Sequence, residues 1–128
     1  MDKDEGPPIP LRVVVVDGDL TSIAALARML KSCIPDVQIV AGVGYARDAI
    51  LSLPDWQADI CFINIDLPRG GGFDVADSLA GSRTKTVFLT TGNNIANVSV
   101  KYPSAKFLTK PLSIEDIRCA VDGAMQSE

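Results

Sequence analysis

The sequence contains no histidine. That removes the side chain most often used as a general base near neutral pH, and the commonest ligand for transition metals. Cysteine is scarce as well: Cys33, Cys61 and Cys119 are odd in number, widely spaced and set among apolar neighbours. Neither a disulfide framework nor a zinc site has that pattern, so the three read as buried thiols in a reducing cytoplasm. Long hydrophobic runs are missing. The longest, such as Val13 to Val16 and Ile60 to Ile63, fall far short of the roughly 18 residues that a membrane span needs. Positive charge is outnumbered, with 12 Lys and Arg against 16 Asp and Glu for a net charge of −4. Direct contact with nucleic acid or an anionic membrane requires a positive surface, so neither is an expected partner.

What is present suffices for one packed domain. The chain has 128 residues, 47% of them hydrophobic, and a chain of this size buries roughly two thirds of the surface that its unfolded form exposes. Residues 1–10 carry Asp2, Asp4, Glu5, Pro7, Pro8 and Pro10 and lack the apolar stretch of a signal peptide. They read as a disordered tail, and the folded domain is expected over residues 11–126.

From Leu11 onward, strand-like runs alternate with stretches of helical periodicity. Val13-Val14-Val15-Val16 is too uniformly apolar for a strand with one wet face and reads as a central parallel strand. Ile23, Leu26, Ala27, Leu30 and Ile34 then form one helical stripe before Pro35. The pattern repeats with a strand over Val37 to Val43, a helix over Ala46 to Leu53 stopped by Pro54, and a buried strand from Asp59 to Ile65. Gly70-Gly71-Gly72 reads as a flexible loop rather than a phosphate cradle, because it lacks the lysine and hydroxyl residue of a P-loop. A helix near Phe73 to Leu79 follows, then strands over Lys85 to Thr91 and Ala105 to Thr109. Between those strands, Val98, Ser99 and Val100 predict a short or irregular helix. The last helix has Ser113 as N-cap, Glu115 and Asp116 in its first turn, and a stripe of Ile114, Ile117, Val121 and Met125. Alternating parallel strands and crossover helices make a doubly wound α/β sandwich, with any site at the carboxyl ends of the strands.

Those ends carry Asp17 and Asp19, Asn64 and Asp66, Thr91-Gly92, and Lys110-Pro111. With Val14-Val15-Val16-Asp17, the run from Asp59 to Pro68, Phe88-Leu89-Thr90-Thr91-Gly92 and Phe107-Leu108-Thr109-Lys110-Pro111, the chain resembles the receiver domain of two-component response regulators from Arg12 to Met125. The resemblance implies the CheY-like, flavodoxin-like (βα)5 fold: a five-stranded parallel sheet of order 2-1-3-4-5 in a three-layer sandwich. It also implies that a carboxylate four residues before Pro68 accepts a phosphoryl group from a histidine kinase. That position holds Asn64, whose amide is a very poor nucleophile and brings no charge to a metal. Receivers usually place two adjacent acids after strand one, whereas this chain has Asp17-Gly18.

With Asp17, Gly18 and Asp19 as the acidic pocket, and Asp17 and Asp66 as residual metal candidates, weak Mg²⁺ binding at most is expected. Asp19 is more simply the N-cap of the first helix, and Asp66 an exposed loop acid. Thr91, Phe107, Lys110 and Pro111 match the positions that sense phosphate and switch conformation. Phe107 serves equally as a core aromatic, and Lys110 needs Asp17 or the Asn64 carbonyl as partner if it is buried.

The expected function is therefore a degenerate receiver, or pseudo-receiver, that is not an enzyme. It would act in a phosphorelay pathway through a protein partner or a second copy on the face of helix four, strand five and helix five. That face holds Phe107, the segment from Asn93 to Tyr102, Arg118 and Asp122. Two alternatives stand beside it. One is a phospho-accepting receiver, with Asn64 introduced by design or another acid in use. The other is a flavodoxin-like cofactor binder, disfavoured by a chain with only two tyrosines and one tryptophan. The chain ends at Glu128, just past the last helix, so either a single-domain regulator or a module cut at a linker is expected.

Overall fold

The computed structural model describes residues 10–92 and 95–126, apart from the side chains of residues 70, 95 and 97. The tail expected over residues 1–10 therefore lies, but for Pro10, outside the described residues, as do Asn93 and Asn94 of the candidate face. Strands and helices alternate throughout: β1 (Arg12–Val16), α1 (Leu20–Cys33), β2 (Gln38–Val43), α2 (Ala46–Trp56), β3 (Ile60–Asn64), α3 (Gly71–Ser78), β4 (Lys85–Thr90), α4 (Ile95–Lys101), β5 (Lys106–Thr109) and α5 (Ile114–Gln126). The five strands are parallel and lie in the order β2-β1-β3-β4-β5.

Strand alternation divides the core between the two faces of this sheet. Val13, Val15, Phe62, Leu89 and Leu108 pack against α1 and α5, where they meet Leu26, Leu30, Ile117 and Val121. Val14, Val16, Ile63 and Phe88 face the other way, toward Ala49 and Leu53 of α2, Val75 and Ala76 of α3, and Val98 of α4. All four valines of β1 are fully buried, because the central strand has a helix layer on each side. That is why it needs an unbroken apolar run, each side chain contributing about 1.5–3 kcal/mol by burial.

The amino-terminal ends of the strands are held by charge. Asp59, which is buried, accepts hydrogen bonds from the Arg12 backbone N at 2.8 Å and from Arg83 at 2.6 Å. The Arg12 guanidinium in turn donates to the Trp56 carbonyl at 2.7 and 3.2 Å. This last contact bears on Pro54, which lies inside α2 rather than ending it. Proline in a final turn forfeits one helical hydrogen bond. The Trp56 carbonyl, one of the last four that a helix leaves without a donor, is bonded by Arg12, and Gln57 closes the helix in the left-handed region at φ 50°.

Three other expectations change. The thiols are not uniformly buried: Cys61 is, Cys33 is half-buried and Cys119 is exposed, since Cys119 lies on the outer side of α5 between Ile117 and Val121. Burial pushes the Cys61 thiol well up, and the Cys33 thiol up to a lesser degree against the opposing charge of Arg118. Ile114 is 43% exposed, so the buried stripe of α5 begins at Ile117. The glycine loop shrinks to a 3-10 turn over Pro68–Gly70, and Gly71 and Gly72 are buried residues of α3 itself.

Close approach explains those two glycines. A Cβ on Gly72 would lie 2.7 Å from the Ile65 Cα and 2.8 Å from the Asn64 carbonyl oxygen, both backbone atoms that have nowhere to go. Gly72→Ala is expected to destabilise the fold by about 2–3 kcal/mol through overpacking. Gly18→Ala, whose Cβ meets nothing nearer than 3.9 Å, should lie within about 0.5 kcal/mol of wild type. Urea denaturation of the two variants checks the contrast.

Candidate functional site

The alternation that sorts the core also assembles the site. Asp17 lies two residues beyond Val15, Asn64 two beyond Phe62, Thr91 two beyond Leu89 and Lys110 two beyond Leu108. Each of those four apolar residues packs on the α1/α5 side. Parallel strands end together, so these positions converge on one side of the carboxyl edge.

Three of them touch. The Asp17 side chain is only 1% exposed. Its Oδ1 accepts from the Asp19 backbone N at 3.0 Å and from Asn64 Nδ2 at 3.2 Å. Its Oδ2 accepts from Lys110 Nζ at 3.0 Å. Asn64 turns its own carbonyl oxygen the other way, accepting from the Asp66 backbone N at 2.9 Å. Of the two partners open to Lys110 from the sequence, the structure has Asp17. The Lys110-Pro111 peptide is cis.

Asp19 sits at the N-cap of α1, where Oδ1 accepts from the Thr21 backbone N at 2.9 Å and Oδ2 from Ser22 Oγ at 3.3 Å. Ser22 also lies 3.4 Å from Lys110 Nζ, so it links the cap to the ion pair. Sequence reasoning missed this residue. The available signal was its spacing, one helical turn after a capping aspartate that itself follows Asp17 by two.

The remaining candidates lie outside this cluster. Thr91 is exposed just past the end of β4, which stops one residue earlier than expected; buried Thr90 instead accepts from the Gly92 backbone N at 3.0 Å. Phe107 pairs in register with Phe88 across β4 and β5 but is 38% exposed, so it is not a core aromatic. Alternation turns it away from the α1/α5 side that Leu108 faces, toward the side of the short α4. Asp66 is exposed at the loop entry. A cavity of about 630 Å³ lies beside the cluster, between Tyr45, Arg47, Leu67 and Arg69, and neither Asp17, Asn64 nor Lys110 lines it.

A magnesium ion does not fit this arrangement. It asks for a nearly octahedral set of hard oxygens with carboxylate charge among them. The pocket offers one carboxylate, Asp17, whose two oxygens already have donors. Gly18 supplies no ligand, and both Asp19 oxygens serve the helix cap. Among the described residues no group of three or more acids, cysteines or histidines is placed to hold a metal.

The sequence matches the response regulator receiver domain family over residues 13–122. It is 28% identical over 110 residues to the sensory transduction protein LytT of Bacillus subtilis, an alignment covering 84% of this chain and 45% of LytT. The chain thus spans about half the length of the curated relatives it matches. Among solved structures, the signal receiver domain of the putative response regulator NarL from Mycobacterium tuberculosis superposes with a TM-score of 0.80 at 21% identity, covering 94% of this chain and 100% of that one. CheY in the CheX-CheY-BeF3-Mg²⁺ complex from Borrelia burgdorferi gives 0.77 at 18% identity, covering 94% and 96%. A five-stranded parallel sheet of order 2-1-3-4-5 and a family match across most of its length agree: the chain belongs to the response regulator receiver domain family of two-component signalling.

Proposed function

We propose that this receiver works without taking up a phosphoryl group and signals by protein contact. The observation that carries the reading is the charge count at the site. Asp17 contributes one negative charge and Lys110 one positive, Asn64 is neutral, and all three are hydrogen-bonded to one another through Asp17. A carboxylate in place of Asn64 would leave the cluster one negative charge in excess, and that excess is what a divalent cation answers. With an amide there, the pocket is neutral without a metal, and it offers no nucleophilic oxygen at that position.

Conversion of Asn64 to aspartate by deamidation is also opposed. Ring closure needs the Ile65 backbone N to attack the side-chain carbonyl carbon, and that N–H donates to the Leu89 carbonyl at 3.0 Å.

The protein contact is assigned to the face of α4, β5 and α5. Val100 of α4 is 83% exposed and Phe107 of β5 38%, while Lys106 and Asp116, which line one surface hollow with Phe107, supply exposed charge of both signs. Arg118, expected on this face, lies instead on the α1 side of α5, near enough to Cys33 to act on its thiol. Apolar residues set among polar ones suit a protein interface. A second protein, CheX, is held by a structurally similar chain, which supports the class of partner; a homodimer on the same face is the alternative occupant. No helix among the described residues is long and apolar enough to cross a membrane. The three cysteines are free, which fits a reducing compartment such as the cytoplasm.

Two measurements follow. Incubated with Mg²⁺ and acetyl phosphate, the chain is expected to keep its intact mass. Asn64→Asp alone should label poorly, and Asn64→Asp with Gly18→Asp should label well, since the second acid restores metal charge and Gly18 has room for a side chain. Labelling of the unaltered chain, or equal labelling of the single and double variants, defeats the charge argument. Separately, Lys110→Ala strands the buried Asp17 carboxylate and should cost about 2–3 kcal/mol in urea denaturation. Removing both charges with Asp17→Asn and Lys110→Met should cost clearly less than the two single changes added together.

A further inference from the structure

Helix α4 is the weakest element of the proposed partner face by its own sequence. It has seven residues, IANVSVK, three of them β-branched, and a helix this short does not persist by itself in water. Val98 is its one described residue that is buried in the core. What fixes it is the residue that follows. The Tyr102 backbone N donates to the Val98 carbonyl at 2.7 Å. Its ring stacks on Phe73 of α3, with centroids 6.0 Å apart and planes 12° apart, and tilts against Phe88 of β4 at 5.4 Å.

The polar groups converge on the same place. The Tyr102 hydroxyl donates to Asp77 Oδ1 and lies 3.4 Å from the Phe73 carbonyl. Lys101 Nζ, from the last residue of α4, lies 3.2 Å from the other Asp77 oxygen and 5.2 Å from the centre of the Phe73 ring.

We infer that Tyr102, Lys101 and Asp77 form a clasp that pins the carboxyl-terminal end of α4 to α3 and sets the position of the α4 face from the end of the helix opposite the Asp17 cluster. This deepens the reading of the preceding subsection, on which it rests, by naming what holds the docking face in one conformation when no phosphoryl group is there to do so. Two shifts fit the geometry. The Tyr102 hydrogen bond and then Lys101 hold the Asp77 carboxyl below its ordinary range, and burial followed by Asp77 pushes the Tyr102 phenol up. Donor and acceptor therefore keep their protonation states across neutral pH.

Amide hydrogen exchange read by mass spectrometry on the full chain tests the clasp. Tyr102→Phe keeps the ring and removes only the hydroxyl, and Asp77→Asn removes the charge. Each is expected to speed exchange across α4 about five- to tenfold while β1 and β3 stay as protected as in wild type. Lys101→Met, which loses a half-exposed ion pair, should change it only about twofold. Unchanged α4 exchange in both Tyr102→Phe and Asp77→Asn overturns the inference, as does acceleration spread evenly over the sheet, which would mean lost global stability instead. Uptake of phosphate by the unaltered chain would end the phosphate-independent reading and leave this exchange pattern untouched, so the two failures are separable.

Discussion

A carboxylate with its side chain 1% exposed has been taken almost wholly out of water, and the penalty of several kcal/mol has to be offset by donors placed around it. Asp17 obtains them from three parts of the chain: the Asp19 amide in its own loop, the Asn64 side chain at the end of β3, and the Lys110 ammonium beyond β5. In the sheet β1 and β3 are neighbours, but β5 is separated from them by β4. Only a long, flexible side chain reaches back across that gap, and lysine also supplies the charge. The loop after β1, the end of β3 and the loop before α5 are thereby fixed relative to one another by one acid.

The same requirement restricts residue 64. Its side chain must donate to Asp17 and accept from the Asp66 amide, and an amide group does both. An apolar residue would do neither. An ionised acid would accept from Asp66 but repel Asp17, unless a cation stood between them. Asparagine is thus a structural solution for a pocket with one lysine and one aspartate, and its incapacity as a nucleophile comes with that solution.

Much of this is legible in the sequence alone. Four consecutive valines require a strand covered on both faces. Asp17, Asn64 and Lys110 follow from the strand ends, each two residues beyond a residue of the α1/α5 core, Val15, Phe62 and Leu108, whereas Thr91 has the same spacing beyond Leu89 and lies exposed outside the cluster. Less legible were features that depend on what lies across the fold. Pro54 reads as a stop, yet α2 runs on to Trp56, whose carbonyl is capped by Arg12 from 44 residues away along the chain. Gly71 and Gly72 read as a loop until Ala46 and the backbone at Asn64 and Ile65 are found within contact of a would-be Cβ. Ser22 carries only its spacing from the capping Asp19 as a signal, and its place beside Lys110 exists only once α1 is packed. Cys119 was misread because an apolar neighbourhood in sequence is, on a helix, distributed around the axis.

The two ends of the sheet thus carry different constraints. At the carboxyl edge, the buried Asp17 carboxylate is paired with the Lys110 ammonium. At the amino edge, Asp59 binds β1 to the turn before β4 through Arg12 and Arg83, while Tyr102 and Lys101 secure α4 to α3 through Asp77. Helix α4 is too short to be stable alone, and its far end is anchored by the Tyr102 ring on Phe73 and Phe88 together with the Tyr102 and Lys101 contacts to Asp77. On the proposed reading, Phe107 and Val100, exposed in this arrangement, already form the surface that a partner would meet.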